Sequence, residues 1–305
     1  MSTGVAHSAR RPETSTRVTV GLDIRFDSIL AVQVSGDGEV TSRATHTGVA
    51  AVAAIDAVRA FLVRAPKLIG AAVADPRDDT IREMVDAAIG AARVDHATVI
   101  SAGSGIALAE QWIGAARGAD HVAALAIDDH VHGGIVADGR VFGGSHGAAG
   151  AAAWLALNPV ERDDYRRLGC LQAEISANGV ARRLVWRLKT GDESSALEMA
   201  GGEMADITAA HVMRAARAGD GVAMAVVRDT SRYIGMAISN LVALFDPDVV
   251  VLGGLIADAA DLLIEPSIAE AERRMAPDAA PQIVAAILGP EAAAIGAARA
   301  AMLKA

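Results

Sequence analysis

A polar turn between two apolar strands is written twice in this chain, and that repetition constrains the fold more than any other feature. The first copy is Gly21-Leu22-Asp23-Ile24-Arg25-Phe26-Asp27-Ser28. The second, a domain's length later, is Ala126-Ile127-Asp128-Asp129-His130-Val131-His132-Gly133-Gly134. A second turn follows each, Gly36-Asp37-Gly38-Glu39-Val40 and Ala137-Asp138-Gly139-Arg140-Val141. Two copies at this separation predict two similar domains facing one another, with both turns projecting into the cleft between them. Hairpins of this kind usually hold a nucleotide's phosphates, and glycine lets backbone N–H groups come close to the anion. Here the turns carry charge and bulk instead.

A chain of 305 residues, 52% hydrophobic, can bury two medium cores. No apolar run reaches the roughly 18 residues needed to cross a bilayer, so no membrane association is expected. Residues 1–17 are polar, lack an apolar stretch and read as a disordered tail rather than a signal peptide. A net charge of −9 argues against a nucleic-acid groove, which needs clustered Lys and Arg. A single cysteine, Cys170, forbids an internal disulfide and fits a reducing, cytoplasmic compartment. Abundant alanine with 3% aromatics favours helices packed closely through small side chains.

Along the chain, residues 18–34 read as strand, turn, strand, and Thr47–Arg64 has helical spacing. Lys67–Ala74 reads as a buried strand, and Thr80-Ile81-Arg82-Glu83 has the spacing of a capping box. A short strand at 98–100 precedes a helix over 104–116, and Gly118-Ala119-Asp120 breaks the chain before the second hairpin. Gly143–Gly150 is a glycine-rich loop. Residues 220–245 form a long helix stopped at Asp246-Pro247. Val249–Leu252 is a strand buried on both faces and ended by Gly253-Gly254, where an open α/β sheet leaves room for a ligand. A strand over 283–288 and a helix over 291–303 close the chain. The alternation predicts an α/β class, with one domain over 18–118 plus 290–305 and the other over 119–289.

This layout resembles the ROK family (repressor, open reading frame, kinase). The resemblance is carried by Gly-Leu-Asp-Ile at 21–24, Ala-Leu-Ala-Glu-Gln-Trp-Ile-Gly at 107–114, Gly-Ala-Ala-Arg-Gly-Ala-Asp at 114–120 and Gly-Gly-Ile-Val-Ala-Asp-Gly-Arg at 133–140. It is extended by Gly147-Ala148-Ala149-Gly150, Gly169-Cys170-Leu171, and Asp246-Pro247 leading into Val-Val-Val-Leu-Gly-Gly. It implies an α/β, two-domain actin-like (ribonuclease H-like) sugar kinase fold. It also implies a nucleotide side near Asp23, Asp128, Gly133, Gly134, Gly253 and Gly254, and a substrate cleft near Ser101, Ser104, His146, Gly147 and Gln172.

Against that family the chain departs at each chemical position. The family's Gly-Gly-Thr-Lys is Arg25, Phe26, Asp27 and Ser28; its Gly-Thr-Gly is Asp128, Asp129 and His130, with His132 at a further glycine. Its Asn-Asp-Ala-Asn is Ser101-Ala102-Gly103-Ser104, so Ala102 stands where the resemblance puts the catalytic base. A methyl group accepts no proton, and losing a positioned base costs about two to four orders of magnitude in rate. The family's Gly-Glu-Ile-Gly-His is Gly150-Ala151-Ala152-Ala153-Trp154. Of three zinc cysteines only Cys170 remains, with Asp163 and Tyr165 at the other positions and Gln172 replacing a Glu, so no zinc is expected.

Alternatives stay open at several residues. Asp23 is either the family's ligand to metal-bound water or an Asp ending a strand. His130 and His132 beside Asp128 and Asp129 offer metal donors, but strand alternation favours a solvated turn. Arg25 and Asp27 can pair with these carboxylate and imidazole groups across a closed cleft, which would make the charges structural. His146 and His211 read as solvated or surface residues and Cys170 as buried and inert. The expectation is a non-catalytic binding or regulatory protein, a homodimer or one acting through a protein partner, with no direct nucleic-acid binding. The alternative is an active ATP-dependent, glucokinase-like sugar kinase using Asp75 or Asp128 as base, in which case Mg-ATP is its cofactor.

Overall fold

The two hairpins open two five-stranded sheets of the same order in a computed structural model that describes residues 19–25, 28–47, 68–92, 97–276 and 278–305. The first sheet contains β1 (Thr19–Ile24), β2 (Ser28–Val34), β3 (Val40–Thr47), β4 (Leu68–Val73) and β5 (Ala97–Ser101), ordered β3-β2-β1-β4-β5. The second contains β6 (Val122–Ile127), β7 (Val131–Ala137), β8 (Arg140–Val141), β9 (Val249–Gly254) and β10 (Gln282–Ala285), ordered β10-β9-β6-β7-β8. In each, the hairpin's first strand pairs antiparallel with the second and parallel with a strand returning after a crossover. Matching topology is the physical content of the repeat. It gives the α/β actin-like fold expected from the sequence.

Helix α1 (Asp79–Ala92) follows β4, and α2 (Ala102–Ile113) follows β5 directly. The helical layer over the second sheet contains α3 (Asp163–Leu168), α4 (Cys170–Ile175), α5 (Ala177–Lys189), α6 (Ser195–Met199), α7 (Ala209–Arg217) and α8 (Gly221–Phe245). After β9 come α9 (Leu255–Asp258) and α10 (Ala260–Glu272), and α11 (Ala292–Lys304) ends the chain. The α8 helix starts where the Asp220 carboxylate accepts from the Val222 and Ala223 amides, and stops where Asp246 turns left-handed at φ 43°. Its buried stripe joins Leu125, Ile127, Leu184 and Leu252 in the larger core.

Alanine has a defined use in this packing. Helix α11 lies on β1 and β4 so closely that a Cβ on Gly21 would stand 1.9 Å from the Ala294 carbonyl oxygen, and one on Gly70 would stand 1.8 Å from that of Ala297. Only small residues permit that approach. Helix α2 crosses α11 in the same way, with Gly105 against Gly296. Both helices therefore share one core with strands of both sheets, including Ala72, Leu108, Val122, Val251 and Ala297.

Several boundaries differ from the sequence reading. Helix α1 begins at Asp79, with the Asp78 carboxylate accepting from the Ile81 amide at 3.3 Å, so Thr80 lies inside the helix and is not its cap. Helix α2 begins two residues before the expected 104, because Ser101 supplies the cap. The last strand ends at Ala285 rather than 288: beyond it the Ile287 and Leu288 amides turn to the buried Glu110 carboxylate, both at 2.9 Å. Thr47 ends β3, and the helix expected over 47–64 otherwise lies outside the described residues, as do residues 1–18, Phe26 and Asp27.

Candidate functional site

Two cavities flank the second hairpin. The first, about 230 Å³, opens between the end of β4, the start of α2 and the glycine-rich loop. It gathers Ser101, Gly147 and Gln172 from the expected cleft set, with His130 and His132 of the hairpin and Gly133, which was expected on the nucleotide side. The second, about 330 Å³, lies on the other side and gathers Arg25, Asp128, Gly253, Gly254 and Asp258.

Each position follows from local structure. Ser101 ends β5 and caps α2; its Oγ accepts from the Ser104 amide at 3.2 Å and donates to Ser104 Oγ at 2.8 Å. Ser104 is thereby buried under the helix start instead of lining the cleft. Gln172 Oε1 accepts from the Val131 amide at 3.1 Å and pins the first residue of β7. His146 is exposed on the loop and does not line the cavity, whereas its neighbour Gly147 does, at φ 70°. Gly133 lines the substrate-side cavity and packs under Gly150, and Gly134 backs onto Gly103, so neither glycine faces the nucleotide-side cavity.

On the nucleotide side the electrostatics centre on Arg25. Its Nε donates to Asp23 Oδ2 at 2.9 Å, while Asp23 Oδ1 is buried without a hydrogen-bond partner among the described residues. Burial pushes the Asp23 carboxyl above its ordinary value, Arg25 opposes this, and nearby Asp128 adds to it. Burial likewise pushes Asp128 up, against Arg25 and with help from Asp258 and Asp129. The guanidinium therefore pairs with the buried Asp23 of its own hairpin and acts through its charge on the half-buried Asp128 of the other. Gly254 sits at φ 66°, where a Cβ would meet the Ile127 carbonyl oxygen at 2.2 Å and Asp128 Oδ1 at 2.6 Å.

On the substrate side, Asp75 is the carboxylate that lines the cavity, and Arg77 holds it. Arg77 donates through Nε to Oδ1 at 2.8 Å and through Nη2 to Oδ2 at 2.7 Å. Those hydrogen bonds lower the carboxyl below its usual range. Trp154, 54% exposed, and Arg167 complete the rim. Ala102 is buried in the core shared by both sheets.

Residues 42–304 match the ROK family. The chain belongs to that family. Among its curated relatives are the glucokinase of Halalkalibacterium halodurans, 34% identical over 162 residues covering 52% of this chain and 49% of the relative. The DNA-binding transcriptional dual regulator NagC of Escherichia coli is 28% identical over 160 residues, covering 52% and 38%. The matched region thus spans about half or less of these relatives' length. Among solved structures, a ROK family glucokinase from Streptomyces griseus in complex with glucose and AMPPNP superposes with a TM-score of 0.77 at 24% identity, covering 94% of this chain and 99% of that one. A ROK family transcriptional regulator homologous to the Escherichia coli MLC protein superposes with a TM-score of 0.79 at 20% identity, covering 93% and 78%. This ROK protein is therefore sugar-kinase-like in fold and family.

The positions that the resemblance assigned to zinc make different kinds of contact. Asp163 is exposed on Arg166, Cys170 is buried, and the Tyr165 hydroxyl donates to the Glu174 carboxylate. Sequence reasoning missed Arg77, Arg167 and Asp258 as lining residues and Glu110 as the buried anchor of the turn after β10. The signal for Glu110 was a lone carboxylate directly after an apolar helical run. Among the described residues no helix is long and apolar enough to cross a membrane.

His132 makes a pH prediction. Burial, with Arg25 and His130 near it, lowers its pKa from 6.5 to about 4. A depressed histidine favours the unfolded chain on protonation, so its contribution is complete above pH 6.5 and is lost as pH falls toward about 4. Asp23 and Asp128, with raised values, act in the opposite sense. His132→Gln is expected to flatten the acid limb of urea-unfolding midpoints relative to wild type; parallel limbs would show that another group titrates.

Proposed function

We propose that this ROK protein binds a small polar ligand in its cleft without phosphorylating it, acting as a cytoplasmic regulatory or scaffolding protein, as a homodimer or through a protein partner. The observation that carries this reading is the state of the cleft's carboxylate. Asp75 has both oxygens engaged by Arg77 and a lowered pKa, which makes it a poor proton acceptor, while Ala102 offers none. The residues on the nucleotide side also fit magnesium-ATP poorly. Among the described residues that line this cavity, Arg25 is the cation, set beside Asp128 and Asp258, and Gly133 and Gly134 pack against backbone instead of facing it.

The test is a coupled assay of tag-free protein with magnesium-ATP and a panel of glucose, N-acetylglucosamine and N-acetylmannosamine. No turnover above the background of a mock purification is expected; rates near the ordinary enzymatic scale of about 10 per second would overturn the reading. The glucokinase relatives and the raised Asp128 carboxyl favour one rival, an active kinase with Asp128 as displaced base. That rival requires Asp128→Ala to abolish whatever turnover the wild type shows.

A further inference from the structure

Away from the cleft, one face of the helical layer concentrates arginine in a chain whose net charge is −9. Helix α5 presents Gly179, Arg182, Arg183, Trp186 and Arg187 at spacings of three and four residues, which places them on one side. Together with Arg162 they line a cavity of about 430 Å³. An adjoining cavity of about 420 Å³ shares Arg162, Arg183, Glu174 and Asp229 and adds Arg232 and Arg274, the latter held by two hydrogen bonds to Glu270. The combined groove falls in the size range of small-molecule sites.

Two of these guanidinium groups, those of Arg187 and Arg232, are held in place yet incompletely used. Arg187 donates through Nε to Asp192 at 2.8 Å, and Arg232 through Nη1 to Asp229 at 3.2 Å. Their other N–H groups are uncommitted among the described residues, and each guanidinium carries five. Glu174, the buried carboxylate of the groove, is already neutralised by Arg162 and Arg183 and accepts a further hydrogen bond from the Tyr165 hydroxyl. Arg182 bridges Asp164 at 3.0 Å and the Ala173 carbonyl at 2.6 Å. Carboxylates thus hold one end of several arginines, and the planar forks are ordered for an anion before it arrives. Trp186 stands at the rim with 64% of its surface exposed, a flat π-face beside these cations with no apolar core to join.

We propose that this groove is a second binding site, separate from the cleft, for a nucleoside phosphate: phosphate on the α5 arginines and base stacked on Trp186. An exposed indole alone would suit many partners, but bidentate guanidinium donors beside it select a ligand carrying both a phosphate and a planar ring.

The experiment is titration of ADP, inorganic phosphate and adenosine into the full chain at low salt, read by calorimetry and tryptophan fluorescence. ADP is expected to bind saturably at or below about 1 mM, to quench fluorescence and to weaken as salt rises. Phosphate and adenosine alone should each bind at least about tenfold more weakly. Arg187→Gln and Trp186→Phe, both on the exposed face, should weaken ADP binding about tenfold and about threefold respectively, while Arg25→Ala in the cleft leaves it unchanged. The proposal is overturned by absence of saturable binding, by binding indifferent to both groove variants, or by binding lost with Arg25→Ala. Circular dichroism and melting curves confirm that each variant is folded before it is scored.

Discussion

Glu174→Ala is expected to remove about 3–5 kcal/mol of folding stability, the range for breaking a buried ion pair from one side. Glu174 is 6% exposed and accepts from Tyr165, from Arg162 Nη1 at 2.9 Å and from Arg183 Nη2, which also reaches the Glu174 carbonyl at 3.1 Å. Removing the carboxylate leaves the Arg183 guanidinium and the Tyr165 hydroxyl buried without their main acceptor. In the wild type burial, the hydrogen bond to Glu174 and the Glu174 charge all push the Tyr165 pKa up, so its hydroxyl stays protonated and donates to the carboxylate. Glu174→Gln retains an acceptor and should cost less than the alanine variant. Urea midpoints measure both, and an unshifted midpoint in Glu174→Ala would mean that the cluster adds nothing to the fold.

Gly134→Ala is the second large effect, expected at about 3 kcal/mol, the upper end of overpacking. A Cβ at this position would stand 2.1 Å from the Gly103 carbonyl carbon and 2.3 Å from the Ser104 amide nitrogen, backbone atoms that cannot swing aside. Relief requires β7 to part from the start of α2, which carries Ser101 and Ala102. The variant should therefore lose stability and also disturb the Ser101–Ser104 cap, visible as changed amide shifts at α2 by NMR. By contrast, Gly147→Ala faces no atom within 4 Å and strains only its positive φ, so a smaller effect is expected there. Equal losses in the two variants would remove close packing as the reason for Gly134.

The site was legible in part. Asp128, Gly253 and Gly254 do share a cavity, and Ser101, Gly147 and Gln172 share another, because strand ends and strand-to-helix turns are where an open sheet leaves space. The inward turn of Ser104 was not legible, since its hydroxyl has a choice between solvent and the cap and only the helix start decides. The turn of Gly134 away from the nucleotide side was equally hidden. A glycine in a phosphate-type hairpin looks the same whether the missing Cβ makes room for an anion or for a crossing backbone.

By itself the sequence determined the duplicated strand order, the α/β class and most element positions, because strand alternation, helix spacing and Asp-Pro or glycine stops act over a few residues. Tertiary structure alone decided which charges meet. Glu110 finds its amide donors at Ile287 and Leu288, 177 and 178 positions away, and Arg25 senses Asp128 across the cleft. The same closure brought Arg162, Arg232 and Arg274 beside the arginines of α5 in an acidic chain. Such partners are chosen by long-range packing and desolvation, and neither leaves a periodic mark in the order of residues.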